Sequence, residues 1–368
     1  MKYPFVRPDV PPPDRWTPHL DETYRKRQFT NFGPAEQALT AKFREKYLDP
    51  EMTCVLCSNA TIGLTAALIA LGLKGRVVVP SFTFPATLHA VLNAGCEPVL
   101  ADVDPDTWEL SPSAVERILR ADDGIVALMP VRVFGFVRDL SALRAVAAAR
   151  ELPIIVDAAA ALGGLPMGDD RLVGRHEIEV FSLHATKSFA IGEGGALFAH
   201  GELQTPLKRA LNFGIEPDRR FGFGVNGKMS EVQAAVGHPV IEAIDAVVEG
   251  RSRMYRFYCD LVADMACGIE TAKDIGPASY SNFAALFPAG TDCEAIAGHA
   301  AEEGVQLRRY YFPSLADGYT GEVRNPFGTP VADDLSRRMI CFPLYSNATA
   351  DELDEIGGVI RRAVERAA

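Results

Sequence analysis

Apolar and polar positions follow two rhythms along this chain. Continuous apolar runs at Val77–Val79, Pro98–Ala101, Ile125–Val133 and Ile154–Val156 alternate with stretches of helical spacing such as Leu140–Arg150. Unbroken apolar runs suit strands covered on both faces, and the longer period suits helices between them. The alternation predicts an α/β fold on a mostly parallel, mixed sheet with right-handed crossovers, spanning about residues 31–250. Residues 1–30 are proline-rich and polar and predict an N-terminal arm lying over the subunit or its partner. Val240 to Leu261 reads as a long helix that leads into a second unit, residues 251–368. There Tyr280–Phe287 and Ile340–Pro343 read as strands and Asp351–Arg366 as a closing amphipathic helix, a smaller α+β C-terminal domain.

Composition narrows the class. A chain of 368 residues is long for one core and suits a large domain plus a small one. A net charge of −11 argues against a general nucleic-acid or anionic-membrane binder, while local basic clusters remain available to an anionic substrate. The seven cysteines are odd in number and scattered, which points to a reducing compartment. The N-terminal stretch lacks the apolar core of a signal peptide, and no apolar run reaches membrane-spanning length. A cytoplasmic protein is expected. Cys54-Val-Leu-Cys57 has no second cysteine pair at zinc spacing, so no metal is expected and both thiols read as structural.

Candidate chemistry centres on Phe181-Ser-Leu-His-Ala-Thr-Lys187-Ser-Phe-Ala-Ile-Gly-Glu-Gly-Gly195. A lone lysine between apolar runs, followed by a glycine-rich turn, suits a strand delivering an amine to a cramped site. Partly desolvated, such an amine loses its proton and forms a Schiff base with an aldehyde. A surface lysine is the commoner reading of a lone Lys. Upstream, the run Ile154-Ile-Val-Asp157 ends a buried strand in a carboxylate, either in the ligand crevice of a doubly wound sheet or as a helix cap. Carboxylate and amine together match what pyridoxal phosphate needs, one against the pyridine nitrogen and one for the aldehyde. Ser58-Asn-Ala-Thr61 precedes a helical run and offers free N–H groups and hydroxyls to a phosphate, or an ordinary N-cap. Phe82 and Phe84 follow another apolar strand, and either can lie flat on a cofactor ring or pack in the core.

The motifs Pro80-Ser-Phe-Thr-Phe84, Val156-Asp-Ala-Ala, Phe181-Ser-Leu-His-Ala-Thr-Lys187 and Gly192-Glu-Gly-Gly195, in this order after the phosphate loop, resemble the DegT/DnrJ/EryC1/StrS family. The likeness extends from Phe29-Thr-Asn-Phe-Gly-Pro34 through Phe223-Gly-Val-Asn226-Gly-Lys-Met-Ser-Glu231 to Cys341-Phe-Pro-Leu-Tyr345. It implies pyridoxal-phosphate fold type I, like aspartate aminotransferase, and a nucleotide-sugar aminotransferase. Carried over by residue, Lys187 is the Schiff-base lysine and catalyst, Asp157 the partner of the ring nitrogen, and Phe84 the stacking ring. Ala60, Thr61 and Ser182 hold the phosphate, and Asn226 reaches the phosphate in the neighbouring subunit of a homodimer with shared sites. The family usually has Gln or His where this chain has Ala160, which offers no hydrogen bond to the cofactor's phenolic oxygen.

Arg308-Arg-Tyr-Tyr-Phe-Pro313 combines basic and aromatic residues on a predicted loop, as an interface or a binding segment. It resembles the stretch of family members that aminate C4 of a dTDP-4-keto-6-deoxyhexose, which implies substrate contacts from Arg308, Arg309 and Tyr310. Ping-pong transamination with glutamate follows, with Lys187 moving protons. A cyclitol ketone is an alternative acceptor, and Ala160 keeps a non-catalytic regulator in view. Retention of Lys187 argues against the family's dehydratases, which carry histidine there. His184 is expected to be structural, on the same strand but facing away.

Overall fold

The computed structural model describes residues 1–367 apart from 165–176, 217, 266 and 274. Seven short, buried runs become one sheet: β1 (Met52–Cys57), β2 (Arg76–Pro80), β3 (Glu97–Ala101), β4 (Ile125–Leu128), β5 (Ile154–Asp157), β6 (Glu177–Ser182) and β7 (Gly195–His200). Their spatial order is β1-β7-β6-β5-β4-β2-β3. Strands β2 to β6 pair in parallel, and β7 runs antiparallel to both β6 and β1. This is the mostly parallel, mixed sheet that the apolar runs predict.

β4 ends at Leu128, short of the predicted Val133. Pro130 has no N–H for a ladder, and Phe134 turns the chain with a left-handed φ of 55°. The Pro130 carbonyl instead accepts from Asp157 N at 2.8 Å, which pins the end of β5.

Helices cover both faces of the sheet. Pro34–Tyr47 and the start of Glu231–Met265 bury Leu39, Phe43 and Ile241 on one side. Ala60–Ala70, Pro85–Asn93 and Gln204–Leu211 bury Leu64, Leu88 and Leu207 on the other. The long helix starts at Glu231, earlier than the predicted Val240, and continues through Pro239. Burial of Ala234, Ala235 and Ile241 on either side of the proline holds it helical against the local penalty.

Without a break at residue 250, the same helix carries the chain into a second core. There β8 (Glu270–Thr271), β9 (Phe283–Leu286) and β10 (Met339–Phe342) form an antiparallel sheet in the order β10-β9-β8. Tyr258 of the long helix packs on Phe283 and Phe342, and Ala350–Ala367 closes this core. The N-terminal residues dock on this unit of their own chain, where Tyr3 bridges to Val305 in parallel. Helix Pro13–Trp16 and the turn after it lie on the long helix. Among the described residues no helix is long and apolar enough to cross a membrane.

Candidate active site

The carboxyl ends of the parallel strands meet in one cavity of about 670 Å³, where open α/β sheets bind ligands. Its lining includes Ala60, Thr61, Phe84, Asp157, Ala160, Ser182, Lys187, Arg308 and Tyr310. Segments almost 250 residues apart thus converge as expected. The cavity is also lined by Arg132, His184, Asn282 and Tyr311, to which the sequence had assigned no ligand role.

Asp157 closes β5 and is almost fully buried. One carboxylate oxygen accepts from the Thr87 hydroxyl at 2.6 Å, and the other from Ala159 N at 3.1 Å. Thr87 in turn meets Thr83, just before the helix begins, at 2.9 Å. Thr87 was not anticipated; its signal is a hydroxyl on the first turn of the helix that Phe84 caps. Burial pushes the Asp157 carboxyl above the usual carboxylate range, while Thr87, Ala159 and the Lys187 charge pull it back.

Lys187 stands on the turn between β6 and β7, not on a strand, with its N–H donating to the His184 carbonyl at 2.9 Å. Burial lowers its pKa from the usual lysine range; Asp157 opposes the shift and Arg251 adds to it. The turn is fastened by Ser188, which donates to the Ser279 carbonyl at 3.0 Å, and by Gln233, which donates to the Glu193 carbonyl at 2.8 Å. His184 belongs to the same turn and lines the cavity instead of facing away. Its Nδ1 lies 2.9 Å from the Thr186 hydroxyl, so it braces the loop beside Lys187.

A candidate anion cradle sits where helix Ala60–Ala70 begins. Asn59 caps it by accepting from Ile62 N at 2.9 Å, and Ala60 and Thr61, whose N–H groups have no helical partner, line the cavity. Gly195 opens β7 directly beneath. A Cβ there would lie 2.7 Å from Cys57 Sγ and 2.9 Å from Ala60 N, so only glycine lets strand and helix start approach this closely. Ser182 adds a hydroxyl at the end of β6. Backbone N–H groups, a hydroxyl and a helix start suit a phosphate; a buried carboxylate and an amine of lowered pKa suit a pyridine nitrogen and an aldehyde. The residues present therefore fit pyridoxal phosphate.

The two candidate stacking rings separate cleanly. Phe82 is fully buried against Phe134 and Tyr311. Phe84 is 55% exposed and lines the cavity, so it is the ring available to a ligand. Ala160 lines the cavity as well, and its carbonyl accepts from the Ser279 hydroxyl.

Two expected site residues lie elsewhere. Arg309 points away from the cavity: it donates to Glu294 at 2.8 Å and to the Arg337 carbonyl at 2.6 Å, and its guanidinium stacks on Phe312. Adjacent residues on an extended segment face opposite ways, so Arg308 alone enters the cavity. Asn226 is exposed on the loop between Asn212 and Met229, where it accepts from Lys228 at 2.8 Å. Cys54 and Cys57 belong to the cores on opposite faces of the sheet and cannot chelate together.

A model of the DegT/DnrJ/EryC1/StrS aminotransferase family matches residues 14–361. A dTDP-4-amino-4,6-dideoxy-D-glucose transaminase of Shigella dysenteriae is 33% identical, with 97% of each chain aligned. A GDP-perosamine synthase of Escherichia coli O157:H7 is 26% identical over 96% of each. Among solved structures, DesI, crystallised with its TDP-sugar product, superposes with a TM-score of 0.86 at 29% identity, covering 98% of this chain and 92% of DesI.

Proposed function

The chain belongs to the DegT/DnrJ/EryC1/StrS aminotransferase family, and from that premise we propose that it transfers the amino group of glutamate to C4 of a dTDP-linked 4-keto-6-deoxyhexose. It is a pyridoxal-phosphate-dependent aminotransferase of nucleotide-linked keto-sugars. The observation that carries the reading is the placement of Lys187 and Asp157 at one cavity, each shifting the other's proton affinity.

When bound, the cofactor supplies an electrophilic aldehyde and an electron-withdrawing ring. Asp157, held by Thr87 and Ala159, is the anion that keeps a proton on the ring nitrogen. Ala60, Thr61 and Ser182 are proposed to hold the phosphate, and Phe84 to cover the ring. Lys187 would anchor the aldehyde; once released, its amine would take a proton from the donor's α-carbon and deliver one to the sugar carbon that receives nitrogen. Its lowered pKa favours the neutral, nucleophilic amine. Arg308 offers a charge to the sugar nucleotide's diphosphate or the donor's carboxylate. C4 as the position and dTDP as the nucleotide draw support from the names of the Shigella relative and of DesI.

We assign Asn226 to the phosphate in a second subunit, because it does not line the cavity of its own chain and its side chain is exposed. A homodimer with shared sites follows. Seven free thiols suit a reducing, cytoplasmic setting.

The test incubates protein, cofactor and glutamate with dTDP-4-keto-6-deoxyglucose and follows the mass of the nucleotide sugar. A product carrying an amino group in place of the carbonyl is expected. Amination of a free keto-cyclitol, with none of the nucleotide sugar, would replace this reading with the cyclitol one. Inertness toward every ketone would leave only a binding role.

A further inference from the structure

Of the two arginines lining the cavity, Arg308 stands apart. Arg132 is paired with Glu179 and donates to the Arg138 carbonyl. Among the described residues no carboxylate pairs with Arg308. Its Nη1 donates to the Tyr310 hydroxyl at 2.9 Å, and its guanidinium lies 4.9 Å from the centroid of Phe5, a residue 303 positions away in sequence. Phe5 is buried and meets Tyr310 edge-on at 5.7 Å, so two rings flank the guanidinium. Phe5 and Val6 also share a small cavity with Lys187, Asn282 and Tyr310, which brings the N-terminal segment to the wall of the active site.

That segment is fastened along its length. Lys2 N and Tyr3 N donate to the Gly304 carbonyl at 3.0 and 2.8 Å, and Gln306 N returns a bond to the Tyr3 carbonyl at 2.9 Å. Phe5 N donates to the Gln306 side chain at 2.9 Å, and Arg7 grips Glu352 at 2.7 Å. Two residues beyond Gln306, the Arg308 backbone exchanges hydrogen bonds with Cys341 of β10. Main chain and side chain of Arg308 are thus held by different parts of the protein.

We infer that residues 2–7 form a strap whose Phe5 acts as a positioning residue, holding Arg308 toward the cavity for an anionic group of the substrate. The inference rests on the aminotransferase reading above for the identity of that anion, a diphosphate or a carboxylate. A guanidinium between aromatic faces keeps its charge and its hydrogen-bond donors free, whereas a carboxylate partner would neutralise it. Holding it in place before binding also reduces the ordering cost that association incurs.

The experiment measures binding of thymidine diphosphate and, separately, of 2-oxoglutarate to the cofactor-loaded protein by calorimetry. Arg308→Ala and Phe5→Leu are each expected to weaken the same one of these ligands about tenfold, which identifies the anion. Phe5→Tyr, which keeps the ring, restores the affinity. The double variant binds no more weakly than Arg308→Ala alone, because Phe5 acts through the guanidinium. Unchanged affinity for both ligands in Phe5→Leu, or additive losses in the double variant, would overturn the inference. So would a wild-type protein that binds neither ligand. Normal anion binding without amination of any keto-sugar sinks the proposed reaction and leaves the strap standing.

Discussion

In the proposed mechanism Lys187 owes its reactivity to partial burial. An ammonium on the surface stays protonated at neutral pH, but burial beside Arg251 lowers the pKa of this one, and Asp157 limits the fall. On the proposed mechanism, replacing it removes both the covalent anchor and the proton carrier. Lys187→Ala is expected to lower amination by about 10³-fold or more and to abolish the cofactor link that borohydride fixes. Mass spectrometry after reduction checks the link, and a retained adduct would move the role to another amine. His238 shows burial acting on stability instead. It is 3% exposed, stacks on His19 and contacts the Ala35 carbonyl, and its pKa falls to about 4. The unfolded chain takes up this proton near the ordinary value of 6.5, while the folded protein refuses it until about pH 4. The unfolded state therefore binds more protons across that window, and stability falls as pH drops through it, by about 3 kcal/mol in all. Urea titrations at several pH values check this. His238→Gln should flatten the slope between pH 6.5 and 4.

Elements matter here through the places where they touch. Helix Ala60–Ala70 starts over β7, and Gly195 sets how closely the two approach. Gly195→Ala forces a methyl against Ala60 N and the carbonyl carbon of Asn59, at 2.9 and 2.8 Å, both backbone atoms that cannot rotate aside. The helix start must shift, and its N–H groups move with it. Cofactor affinity, read by titrating the apoprotein with pyridoxal phosphate at its visible band, is expected to fall about tenfold or more. Gly298→Ala is the contrast: a Cβ there meets nothing within 4 Å, on an exposed helical position. That change should leave the affinity alone and raise stability by about 0.5–1 kcal/mol.

At the scale of the whole molecule, the loop that carries Asn226 also carries Phe213, Ile215, Phe221 and Phe223, all exposed, with Phe221 at 79%. Bridges Asn212 to Asn226 and Ile215 to Phe221 fold the loop back on itself, so these side chains share one region of surface. Apolar groups gathered in this way mark a contact surface, and a second copy is the partner that the shared-site reading requires. Light scattering is expected to give a dimer. Changing Phe221 and Phe223 together to Asp should shift it toward monomer and weaken cofactor binding, since Asn226 then reaches no neighbouring phosphate. A monomer with full activity would remove Asn226 from the site.

Linear order alone determined much of this protein. The apolar runs at Val77–Val79 and Ile154–Val156 can bury both faces only inside a covered parallel sheet, and they do. Asp157 and Lys187 were legible because a carboxylate ending a buried strand and an amine before a glycine turn are local patterns with few inexpensive alternatives. What tertiary structure decided was every choice between neighbours. Phe82 and Phe84 are equivalent in sequence, and only the position of Phe134 and Tyr311 buries the first and leaves the second over the cavity. Arg308 and Arg309 are likewise interchangeable until the fold brings Phe5 to one and Glu294 to the other. Thr87 meets Asp157 across 70 residues, a pairing that no local pattern encodes. Short-range periodicity reports which face of an element is buried; which distant residue arrives there depends on how the elements cross.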